Sequence, residues 1–99
     1  MQHCFNGFAK SVVESNQAQE AIDTAMKTYP RLNQLYEGLK WRLARRPAES
    51  GVKISRLHNK YILKTLDWSS YGVPVVRVIY SFTDNEVEIL AIDILPITE

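Results

Sequence analysis

Val73-Pro74-Val75-Val76-Arg77-Val78-Ile79-Tyr80-Ser81-Phe82, continuing through Thr83-Asp84-Asn85-Glu86 into Val87-Glu88-Ile89-Leu90-Ala91-Ile92-Asp93-Ile94, is the stretch whose reading decides the fold. Two runs rich in β-branched residues flank a short polar connection, the pattern of a β-hairpin, and Asp84-Asn85 tolerates the positive φ of a tight turn. Side chains alternate along a strand. Val76, Val78, Tyr80 and Phe82 therefore share one face, and Val75, Arg77, Ile79 and Ser81 the other. Arg77 is a lone cation among apolar neighbours. A guanidinium keeps its charge and is costly to bury alone, so the position calls for a carboxylate partner or an open site of phosphate size.

Moving outward toward the N-terminus, Asp67 to Gly72 reads as a loop, Tyr61 to Leu66 as a strand, Asn59-Lys60 as a turn, and Val52 to Leu57 as a weakly alternating strand. Before these lies a pair of helices. The first opens at Asn16, read as the cap with Gln19 three residues on, and carries Ala18, Ala21, Ile22, Ala25 and Met26 at helical spacing. The second runs from about Arg31 to Arg46, with Pro30 at its start. It has Leu32, Leu35, Tyr36, Leu39 and Leu43 on one stripe, and Arg45-Arg46 in the last turn, where cations favour the helix dipole. Pro47 stops it. Residues 8–14 fit a short edge strand or the start of a helix equally well. The expected class is α+β: one domain over residues 1–99, with the helical hairpin packed on a small, twisted, mainly antiparallel sheet of three or four strands.

Composition sets bounds on function. The 99 residues suffice for one core, and no apolar run is long enough for a membrane helix. The start of the chain lacks signal-peptide character, and the single Cys4 cannot form an internal disulfide, so a cytoplasmic setting is expected. The formal charge of +1 hides an asymmetry. Lys27 to Lys64 carries ten basic residues against Glu37 and Glu49, a net +8, whereas Thr65 to Glu99 sets Arg77 against six acidic residues, a net −5. A basic block of this kind suits a polyanionic or acidic partner as well as a solvated helix face. There is no Gly-rich phosphate loop, zinc-ligand spacing or Ser-His-Asp pattern, and no metal or cofactor is expected.

Taken in order, the Tyr29-Pro30 break, the helix ending Leu43-Ala44-Arg45-Arg46-Pro47 with Gly51 shortly after, Tyr61-x-Leu63-Lys64, Val76-Arg77-Val78-Ile79-Tyr80 and the closing Val87-x-Ile89-Leu90-x-Ile92 resemble the RelE/ParE superfamily of toxins. The likeness spans roughly Tyr29 to Ile94. It implies the toxin of a bacterial or archaeal type II toxin–antitoxin module, a small α+β domain neutralised by a cognate antitoxin. In the RNA-cleaving branch, a ribosome-dependent mRNA endoribonuclease, the arginine at the position of Arg77 contacts the scissile phosphate. Basic residues of the preceding strand act beside it, which points to Lys64 and Lys60, with Arg56 and Lys53 as further RNA contacts.

The resemblance breaks at the C-terminus. Where the RNA-cleaving branch carries Tyr, His or Lys, this chain reads Asp93-Ile94-Leu95-Pro96-Ile97-Thr98-Glu99. Metal-free cleavage needs a group to take the 2′-OH proton and a donor to the leaving oxygen, and His58, beside the basic strand, has the right pKa range to stand in. The alternative is a ParE-like toxin without nuclease activity that binds a protein target such as DNA gyrase, or a degenerate toxin-like binding protein. Asp93 ends the last strand within reach of Arg77, and such a pair would be structural. Trp68 and Tyr71 would stack on a base or belong to the core. An acidic antitoxin helix is expected across the helical hairpin at Arg42 and Arg45.

Overall fold

The computed structural model describes residues 10–54, 59–66 and 69–96. Cys4, Arg56, His58 and Trp68, singled out above, lie outside the described residues. Among the described residues three α-helices, a 3-10 turn at Ser69–Tyr71 and a five-stranded mixed sheet are formed: β1 (Ser11–Glu14), α1 (Asn16–Thr28), α2 (Leu32–Arg45), α3 (Pro47–Ser50), β2 (Val52–Lys53), β3 (Tyr61–Lys64), β4 (Val75–Phe82) and β5 (Glu86–Leu95). Their order across the sheet is β1-β5-β4-β3-β2, so β4 is central. Three of the four pairings are antiparallel. The fourth, β1 on β5, is parallel and brings Ser11–Glu14 alongside residues 86–89. Residues 11–14 are thus a strand, and the sheet has one more member than the three or four expected.

The alternation read from β4 holds. Val76, Val78 and Tyr80 are buried on the helix side, together with Leu63 of β3 and Val87, Ile89 and Ile92 of β5. Ala18, Ile22 and Ala25 of α1 and Leu32, Tyr36, Leu39 and Leu43 of α2 close over them. One face of the sheet is covered. A bulge at β5 keeps this core continuous: Ile79 pairs with Ala91 but Tyr80 with Ile89, leaving Leu90 as the extra residue. The period-2 pattern shifts by one there, which lets Ile89 and Ile92 point the same way.

Two local readings are corrected. The cap of α1 is Ser15, not Asn16: its extended backbone places Oγ to accept from the Ala18 N–H, while the same hydroxyl donates to the Leu90 carbonyl. The β4–β5 turn uses no positive φ at Asp84 or Asn85. The Thr83 hydroxyl accepts from the N–H groups of Asn85 and Glu86, and the Thr83 N–H donates to the Glu86 carbonyl at 2.8 Å. Asn59, at φ 55°, does take the left-handed conformation in the turn before β3.

Pro47 ends α2 and opens α3, a single turn where the sequence suggested a loop, because Ser50 Oγ donates back to the Arg46 carbonyl. The buried Tyr80 hydroxyl donates to the Pro47 carbonyl at 2.5 Å and so ties α3 to the central strand. Gly51 passes so close beneath this contact that a Cβ would meet the Ile62 carbonyl oxygen at 2.6 Å and Tyr80 Oη at 2.7 Å. No helix is long and apolar enough to cross a membrane among the described residues.

Candidate functional site

α1 and α2 cover one face of the sheet, and the candidate site lies on the other. Cross-strand partners share a face, and the register sets Lys64 of β3 opposite Arg77 of β4, and Arg77 opposite Asp93 of β5. Lys64, Arg77 and Asp93 therefore form one row across three adjacent strands, on the side away from the helices. Two strand spacings separate the outer members, about 10 Å between their backbones. The next row, Ile62, Ile79 and Ala91, lays an apolar floor beside it. A groove of about 460 Å³ runs over this floor, with Arg77 and Asp93 on its rim and Gln17 at one end.

Arg77 is not a free cation. Its Nη2 donates to Asp93 Oδ2 in an ion pair whose side chains are 43% and 57% exposed. Exposed pairs of this kind contribute about 0–1 kcal/mol to stability. The pairing does orient the guanidinium, and it leaves the rest of the planar fork, with five N–H donors in total, for a second oxygen-rich group. A phosphate meeting this face would find the Arg77 fork and the Lys64 ammonium as donors, and the Asp93 carboxylate as the one proton acceptor in the row. The carboxylate read above as a structural partner thus stands inside the candidate site.

The expected RNA-contact residues divide. Lys64 is exposed on the open face beside Arg77. Lys60, half-buried, falls on the same side by alternation from Ile62, its carbonyl accepting from the Ile54 N–H at 2.9 Å. Lys53 is set apart from them: it pairs with Tyr61, which pairs with Tyr80, so it lies on the helix side, away from Arg77. The two-residue strand takes its facing from that register. Tyr71 is also elsewhere, lining a cleft of about 320 Å³ with Arg31, Gln34, Leu35 and Val73, where Arg31 Nη1 donates to the Tyr71 carbonyl at 3.3 Å.

Arg42 and Arg45 are exposed on α2, across the molecule from the row. Arg45 stacks over Trp41, with the guanidinium carbon 4.0 Å from the ring centroid, and Trp41 is 62% exposed. An aromatic ring with a guanidinium on it is the composition that dominates protein interfaces. Trp41 had no place in the sequence reading, although its spacing of four residues from Arg45 on a helix was a usable signal.

Burial pushes the Tyr80 hydroxyl up to about 12, with Tyr61 close by adding to the shift. Tyr36 is raised as well, by burial first and then by its hydrogen bond to the Glu14 carboxylate. Both phenols are neutral donors that fix helices to the sheet and take no part in the open face. Compared with known proteins, the chain matches no family model, no curated protein and no solved structure.

Proposed function

We propose that the open face contacts RNA, and that the chain is the toxin of a RelE/ParE-type type II toxin–antitoxin module, a ribosome-dependent mRNA endoribonuclease. The observation that carries this reading is the Lys64–Arg77–Asp93 row: two cations and a carboxylate side by side on the open face, Arg77 and Asp93 bordering an apolar-floored groove. The cations hold the scissile phosphate and take up the charge that develops on it, and Asp93 accepts the 2′-OH proton. Arg42 and Arg45, with Trp41 beside them, offer an acidic antitoxin helix a surface separate from the row.

The Arg77–Asp93 ion pair favours a second reading. A guanidinium already half-compensated by a carboxylate suits recognition of a protein target, as in a ParE-like toxin acting on DNA gyrase, or a degenerate toxin-like binder. Expression in a translating extract, with mRNA 5′ ends mapped, separates the two. Codon-positioned cuts lost in Asp93→Asn support the nuclease. Intact mRNA in the extract, with growth inhibited when the chain is expressed in cells, moves the choice to the protein target.

A further inference from the structure

Strand β1 covers the outer edge of β5 only as far as the Glu14–Ile89 pair. Beyond it, the first turn of α1 takes over with side chains. The Ser15 N–H donates to the Ile89 carbonyl at 2.9 Å and Ser15 Oγ to the Leu90 carbonyl at 2.8 Å. Gln17 then does what a neighbouring strand's peptide group would do: its Oε1 accepts from the Ile92 N–H at 3.0 Å, and its Nε2 donates to the Ile92 carbonyl at 3.2 Å. Since Ile92 turns both backbone groups outward, Ile94, two residues on, does the same. Among the described residues nothing pairs with that outer edge of Ile94. A groove of about 510 Å³ runs alongside, between β5 and the small side chains Ala21, Thr24 and Thr28 of α1.

We propose that this edge receives an extended, Lys- or Arg-bearing segment of a partner protein, which displaces the Gln17 amide and pairs with Ile92 and Ile94 as a further strand. Outward N–H and C=O groups at strand spacing select an extended backbone over a helix, whose own backbone groups are already paired. The groove selects the charge: among its described lining residues the charged ones are Glu20 and Asp93, both acidic, and since Asp93 is paired with Arg77 the uncompensated carboxylate is that of Glu20. Glu20 also argues against a second copy of this chain, which would bring a like carboxylate to the same edge. Gln17 keeps the edge from unselective pairing until a segment offers more than one amide. The inference does not rest on the reading of the open face as an RNA contact, although Asp93 borders both grooves.

The full chain, 15N-labelled, is titrated with the blocked peptide (Lys-Val)4 and separately with (Glu-Val)4, and amide shifts and exchange are followed. The basic peptide is expected to shift the Ile92 and Ile94 amides and slow Ile94 exchange at least about tenfold, with no such effect from the acidic one. Gln17→Ala, which removes the competing amide, is expected to tighten the basic peptide about fivefold. Glu20→Lys, at an exposed helix position that does not disturb folding, is expected to weaken it and to admit the acidic peptide. Equal binding of both peptides, shifts confined to other strands, or weaker binding in Gln17→Ala with the fold intact would overturn the proposal. Protection of Ile94 that grows with protein concentration and no peptide would also overturn it, by giving the edge to a second copy.

Discussion

Strand β4 presents two surfaces built from alternate residues of one run. Toward the helices, Val76, Val78 and Tyr80 are essentially without solvent contact, and the Tyr80 hydroxyl is satisfied by the Pro47 carbonyl. Away from them, Arg77 and Ile79 lie between Lys64 and Ile62 on one flank and Asp93 and Ala91 on the other. The first surface excludes charge because a buried ion costs far more than one salt bridge returns. The second holds three charges in a row at nearly no cost because water reaches them. Stability is therefore vested in one face and the proposed chemistry in the other, and substitutions on the two should separate cleanly.

The largest effect belongs to the buried face. Tyr80→Ala removes a fully buried ring and orphans the Pro47 carbonyl, and is expected to cost about 3–5 kcal/mol in urea denaturation. Ile79→Ala, one residue away on the open face, is expected to cost well under half of that; similar costs for the two would erase the distinction between the faces. Gly51→Ala comes next, at about 1–3 kcal/mol, because the new methyl meets backbone at Ile62 as well as the Tyr80 hydroxyl. A neutral outcome would mean that α3 and β3 are free to separate.

Alkaline titration gives a smaller, pH-dependent effect. The Tyr80 phenol has its value raised from 10.0 to about 12 on folding, so its contribution is complete below pH 10 and is lost as pH rises through 12. Tyr36 is raised in the same sense and extends the loss upward. The denaturation midpoint is expected to be level up to about pH 10 and to fall beyond it. Tyr80→Phe should flatten part of that fall while costing about 1–2 kcal/mol at neutral pH, where it leaves the Pro47 carbonyl unpaired. The smallest change in stability is expected for Asp93→Asn and Lys64→Ala, each within about 1 kcal/mol of the parent.

Much of this division was legible in the residues, and the exceptions have physical reasons. The alternation in Val75–Phe82 gave both faces of β4, and the adjacent apolar residues Ile89-Leu90-Ala91-Ile92, which break a period of two, are the trace of the bulge. The parallel partner of β5 was not legible, because four residues at 11–14 cannot state a pairing with residues 75 positions away. Ser15 and Asn16 are both good caps. The choice between them is made by the Leu90 carbonyl, a tertiary contact. Lys53 was placed with the other lysines by proximity in sequence, but a strand of two residues takes its facing from its neighbour. Asp93 was visible as a partner for Arg77, whereas its place in a three-strand row with Lys64 required the register.

The central claim is that Arg77 belongs to the chemistry and not to the framework, and one substitution tests it with two readouts on the same protein. Arg77→Ala is measured for its urea midpoint and for cutting of mRNA in a translating extract. The expected result is a midpoint within about 1 kcal/mol of the parent, because the ion pair to Asp93 is exposed, together with a fall in cleavage of about 10²–10³-fold. A variant that unfolds, or one that folds and cuts as the parent does, would contradict it.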